Sequence, residues 1–302
     1  MDDNRCLNCK LSNFGNLYYK IPETEMDGGE LYVLDKSIEL NKLLPCQLTW
    51  PLDATFGLWK EAYHSLDENL APGELPPVLF SAWQSLFDLK ASAFLALAAH
   101  YRSAIQVLRP ILENITISVY FFEKMRMARD EKEKRKEYEA FGRWSEETEK
   151  TQNFNSILQY LGSEHIINGD EVRRINELMK AMHKYLHSFM FRWDRGNTPE
   201  AVCYDEGRFD EWLDMYQNVL SYMIEKLCHY FPDATRTQNG QNALIELKEM
   251  ESLEKDLKMT LIKSKNFKDF LSRISLDGKL PQETRYPSIF LDLPHLDETL
   301  DL

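Results

Sequence analysis

From Pro51 onward, apolar positions recur every three or four residues, the period of an α-helix that buries one face. Leu52–Leu70 carries Phe56, Trp59, Tyr63 and Leu66 at that spacing. Ala71-Pro72-Gly73 and Pro76-Pro77 then break the pattern, because proline and glycine punctuate helices. A second helix is predicted from about Val78, with Leu79, Trp83, Leu86 and Phe87 on one side. Leu89–Phe122 is the longest apolar passage, and His100, Arg102, Arg109, Glu113 and Asn114 interrupt it. Those polar residues argue against a membrane span and for the central rod of a helical bundle. The second helix is free to run into that rod, and Pro110 predicts a kink or restart within it.

Residues 123–150 hold nine Lys/Arg and nine Asp/Glu, a balance that predicts a solvated helix. Phe141, Trp144, Phe154, Ile157, Leu158 and Leu161 return the chain to the core. Asp170–Trp193 is the clearest amphipathic segment, with Val172, Ile175, Leu178, Met179, Met182, Leu186, Phe189 and Met190 on one face. At 100° per residue, Arg173, Lys180, His183, Lys184 and His187 gather along one flank of that stripe. Between residues 172 and 195, six Lys/Arg oppose only Glu177 and Asp194.

After a loop at Gly196 and Pro199, Phe209–Tyr230 predicts a long core helix ended by Pro232. Leu244, Leu247, Met250, Leu253, Leu257 and Leu261 form a narrow stripe that either docks on a neighbour or pairs with a second copy. Residues 289–302 alternate leucine with acidic residues and read as an acidic tail. The pattern divides into an appendage at 1–50, a helical core at 51–235, and a C-terminal helix plus tail at 236–302. The fold class expected is all-α, a bundle of six to eight helices.

The first 50 residues differ. Two β-like runs, 17–21 and 30–34, flank Asp27-Gly28-Gly29 and suggest a small hairpin. Cys6 and Cys9 form a CxxC. A structural zinc needs four ligands, and Cys46 and His64 are the only neighbouring candidates, so plain thiols are the simpler reading and zinc the alternative. No other cofactor is expected. Five cysteines and no apolar leader point to reduced thiols in the cytoplasm. The net charge of −13 opposes non-specific nucleic-acid binding except through a local basic patch. Phosphate loops, nucleophile elbows and dinucleotide fingerprints are absent from the sequence.

The run ALAAHYRSAIQVLRPILENITISVYFF, followed in order by FGRWSEETEKTQNFNSILQYL and MHKYLHSFMF, resembles HEPN-like all-helical prokaryotic proteins over roughly residues 85–230. The resemblance implies a helical bundle, homodimerisation, and a place in toxin–antitoxin, abortive-infection or CRISPR-linked defence, where many members are metal-independent ribonucleases. Catalytic members carry an arginine followed four to six residues later by histidine. Here Lys180 stands at that spacing before His187, and lysine does not make arginine's bidentate phosphate contact.

Two expectations follow. The first is a binding component that contacts a partner protein or RNA. The second is a metal-independent ribonuclease in which His187 moves the proton of a 2′-hydroxyl. In the second, Lys180 and Arg109 steady the phosphate, and Arg173, His183, Lys184, Arg192 and Arg102 hold the RNA. His183 and His187 are one turn apart, but no acid lies between them as in metal-binding HExxH sequences, so a metal there is not expected. Arg109 and Glu113, spaced i,i+4, read either as part of a polar pocket or as an internal ion pair.

Overall fold

The computed structural model describes residues 44–66, 75–98, 100–146, 153–186, 206–257, 260–275 and 277–280. The CxxC at Cys6 and Cys9, the 17–34 hairpin, His187, Arg192 and the acidic tail lie outside the described residues. Within them every regular element is helical, in agreement with the all-α expectation.

The described α-helices number nine: α1 Leu44–His64, α2 Pro77–Leu97, α3 Tyr101–Arg126, α4 Glu131–Ser145, α5 Phe154–Ser163, α6 Gly169–Leu186, α7 Glu206–Tyr230, α8 Gln238–Leu257 and α9 Lys265–Arg273. A 3₁₀ turn, Pro232–Thr235, joins α7 to α8. The count exceeds six to eight partly because the apolar passage is two helices. It breaks at 98–100, where the His100 amide reaches back to the Leu95 carbonyl at 2.8 Å. Thirty-four residues of unbroken helix would be a rod of about 50 Å, longer than a small core can cover. Folded into an antiparallel hairpin, α2 and α3 instead bury Ala93, Ala96 and Ala104 completely.

Pro110 causes neither break nor restart: α3 runs through it as one helix. Proline deprives the carbonyl four residues earlier of its donor. Pro110 sits on the exposed side of α3, where water can take the missing donor's place. Small residues set the depth of packing. Ser92 donates to the Ala104 carbonyl at 2.8 Å and accepts from the indole of Trp212 at 3.0 Å, which ties α7 to the hairpin.

α3 is the centre of the bundle, packed against α2, α4, α5, α6 and α7. α4 buries little beyond Lys134 and Phe141. Its exposed surface carries i,i+4 pairs such as Arg135–Glu139, as its charge balance predicts. The stripe of α8 docks inside its own chain: Leu244, Leu247 and Met250 are buried, and α1 is the principal neighbour. Gln217 of α7 fastens the next segment by donating to Leu261 O and accepting from the Lys263 and Ser264 amides. Ser264 then caps α9, whose Phe267, Phe270 and Leu271 are buried. One hydrophobic core therefore extends from Leu48 to Ile274.

Candidate functional site

The strongest amphipathic segment of the sequence becomes α6, and its ends are chemically defined. Asn168 accepts the Glu171 amide at 2.8 Å, and Asp170 and Glu171 occupy the first turn. Negative charge there complements the helix dipole. At the other end the Tyr185 carbonyl accepts both Arg102 Nε at 3.0 Å and Gln106 Nε2 at 3.1 Å from α3. A cation on a terminal carbonyl complements the opposite pole. The Tyr185 phenol is held well above its ordinary range, first by burial and then by its hydrogen bond to Glu211.

These anchors fix the rotation of α6 against α3 and α5, and a groove of about 500 Å³ lies between the three helices. Its apolar lining is Leu158, Val172 and Met179. Gly162 lets α5 approach this wall, since a Cβ there would sit 3.1 Å from Val172 Cγ2. The polar lining is Arg109 from α3, Asn155 and Gln159 from α5, and Asn176, Lys180 and His183 from α6. Arg109 Nε holds Glu113 Oε1 at 2.8 Å, with both side chains about 30% exposed (30% and 28%). The two form the ion pair that their spacing allows, and Arg109 alone of the pair lines the groove. Lys180 and His183 are exposed at the groove rim.

The groove brings together three of the residues singled out by sequence. Arg102 is engaged at the end of α6. Arg173 pairs with Asp170 at 2.9 Å on the exposed first turn, outside the groove lining. Lys184 is exposed and also outside it. His187 and Arg192, with the cysteine pair, fall outside the described residues. Among the described residues no group of three or more His, Cys, Asp and Glu could hold a metal.

No family model, curated protein or solved structure matches this chain. The site therefore has to be read from its own chemistry.

Pattern reading overlooked the amides Asn155, Gln159 and Asn176. A signal existed for one: Asn176, Lys180 and His183 stand at i, i+4 and i+7, one strip of a helix. The α5 amides are brought to the groove by tertiary packing, which local spacing does not encode. Taken together, the lining offers an exposed lysine, an arginine that also holds Glu113, an imidazole and three amides over an apolar wall. Cations and amide donors suit phosphate and carbonyl oxygens; amide oxygens and the imidazole suit base edges. None of the described helices is long and apolar enough to cross a membrane.

Proposed function

We propose that this protein is an HEPN-like binding component of a prokaryotic defence or stress system, and that the α3–α5–α6 groove is its RNA-contacting surface. The observation that carries the reading is the convergence of Arg109, Lys180 and His183, from two helices, on one groove rimmed by amides. In a chain of net charge −13, a cationic groove supplies the local attraction that the molecule as a whole denies to phosphate. Single-stranded RNA fits better than a duplex. Splayed bases expose edges to amide side chains and faces to an apolar wall, whereas A-form helices are recognised mainly by shape.

Fluorescence anisotropy with labelled single-stranded RNA at low and moderate salt tests this. Arg109→Ala and Lys180→Ala are each expected to weaken binding about tenfold, or ~1.4 kcal/mol. Each loss should also flatten the dependence of log K on log[salt] by about 0.7. Wild-type affinity in both variants would remove the groove from the account.

A second reading has its own support. His183 shares the groove lining with Lys180 and Arg109, which places a proton-transfer group in one groove with a lysine free of salt bridges among the described residues and an arginine that also holds Glu113. Metal-independent RNA cleavage at this groove then predicts turnover in EDTA that His183→Ala or His187→Ala abolishes. Binding without cleavage leaves the first reading standing alone.

A further inference from the structure

The amide side chains of this fold divide into those with internal partners and those without. Gln106 holds the end of α6, Gln217 fastens the segment before α9, and Asn218 bonds to Asp214 and Asn266. Asn153 and Asn168 accept the backbone amides that start α5 and α6. The side chains of Asn155, Gln159 and Asn176 make no hydrogen bond among the described residues, a state shared there only by Gln84 and Asn114. All three line the groove between α3, α5 and α6. Water serves such amides in the free protein; gathered at a groove, they are hydrogen-bonding capacity that a ligand can take over.

Their spacing decides what they can hold. Asn155 and Gln159 are one turn apart on α5, and Leu158 beside them is buried. On α6, Asn176 has Val172 one turn before it and Met179 and Lys180 one turn after it. Residues so spaced share one strip of a helix, with Cβ atoms about 5–6 Å apart. Amides from two helices thus flank an apolar wall of Leu158, Val172 and Met179. Lys180, which makes no salt bridge among the described residues, stands exposed at the rim. Arg109 joins the lining from α3 with its Nε held by Glu113 at 2.8 Å.

An apolar wall edged by amides suits a flat ring with apolar faces and polar edges, which is a nucleobase. A side-chain amide offers a donor and an acceptor side by side. Adenine presents the complement on two edges, N6–H with N1 and N6–H with N7, and the second is the pairing by which Asn and Gln read it. The N7 edge of guanine carries two acceptors instead, and the pyrimidines bring one ring to the wall where adenine brings two. Size limits the number of nucleotides. About 500 Å³ lies within the range of sites that enclose one small molecule, ~300–1,000 Å³. Beyond the groove, a chain of net charge −13 gives little general attraction to neighbouring phosphates.

We infer that the groove seats one splayed nucleotide, with its base on the Leu158–Val172–Met179 wall, the base edge read by Asn155, Gln159 and Asn176, its phosphate at Lys180, and adenine as the preferred base. The inference rests on the RNA reading above and adds to it the part of the strand that the groove selects.

The test uses the full chain and fluorescence anisotropy with a short labelled oligouridine, the same strand with one adenine, guanine or cytosine, and the same strand with two well-separated adenines. One adenine should tighten binding about fivefold over oligouridine, and guanine or cytosine should do less. A second adenine should add at most the statistical factor of about two. Asn176→Ala and Gln159→Ala, which remove side chains that bond nothing within the fold, should each bring the adenine-to-uridine ratio close to one. Lys180→Ala should weaken both strands and keep the ratio. Equal affinity for all four bases, with binding still dependent on Lys180, overturns the base reading and leaves the RNA contact standing. Preference for another base overturns the adenine assignment, and a multiplicative gain from the second adenine overturns the single seat. Binding indifferent to Lys180→Ala removes the RNA reading and this inference with it.

Discussion

The two flanks of α6 use the same residue types for opposite ends. Toward α7, its charges are consumed. Lys226 pairs with Glu171, and Arg174 holds Glu225 at 2.6 Å, with both side chains about one-fifth exposed (20% and 19%). Glu225 also takes Arg273 of α9 at 2.6 Å, while Arg174 and Lys226 lie over the ring of Tyr222. Toward α5, Lys180 and His183 face a groove, and Lys180 makes no salt bridge among the described residues. Arg173, Arg174, Lys180 and Lys184 look alike in sequence, yet the first two are paired within the fold and Lys180 is presented outward. A basic stretch becomes evidence for a ligand only after its internal partners are subtracted.

That contrast is open to direct attack, and the largest effect is expected on the α7 side. Glu225→Ala strands the Arg174 guanidinium in a site that is mostly dry. Breaking such a pair costs about 3 kcal/mol, to be read as a lower midpoint in urea denaturation. Lys180→Ala on the other flank should stay within about 0.5 kcal/mol of wild type. Equal losses from the two substitutions would erase the distinction between the flanks.

An intermediate effect belongs to the end of the helix. Arg102→Met removes the charge-assisted bond to the Tyr185 carbonyl and should cost about 1.5 kcal/mol. Hydrogen exchange should rise in the last turn of α6 and leave its first turn unchanged. RNA affinity should fall with it, since Arg102 orients the strip that carries Lys180 and His183.

The smallest effect concerns a charge that has neither fate. Asp88 on α2 is half-buried, makes no ion pair among the described residues, and has its pKa raised by burial. A carboxyl whose folded pKa lies above its unfolded value is disfavoured in the fold when ionised. The penalty is absent below the unfolded pKa and present in full above the folded one. Asp88→Asn is therefore expected to raise Tm slightly at pH 7, and the difference should vanish near pH 3. The half-buried Cys228 gives a companion measurement. Burial, reinforced by Glu225, pushes its thiol up to about 12, so peptide-resolved alkylation at pH 8 should be slow until the protein unfolds.

Much of the helical layout was legible along the chain because a 3.6-residue period survives translation into one buried face. The buried face of α7 and the placement of Leu244, Leu247 and Met250 in the core follow from that period. The break at 98–100 was not legible. Ala-Ala-His carries no breaker, and the turn exists because Ala93, Ala96 and Ala104 pack better as a hairpin than as a rod. At Pro110 the helix does not restart, since an exposed position lets water serve the carbonyl it deprives. At the site, the strip from Asn176 to His183 was readable from helical spacing. Asn155 and Gln159 come from α5, and only tertiary packing brings them to the groove.

The central claim is that the groove, and not the general surface, contacts RNA. The most direct measurement is the salt dependence of single-stranded RNA binding for wild type, Lys180→Ala and a charge-matched control, Lys132→Ala on the solvated α4. The account predicts strong weakening and a flatter salt slope for Lys180→Ala, with the control indistinguishable from wild type. Identical behaviour of the two variants would contradict it.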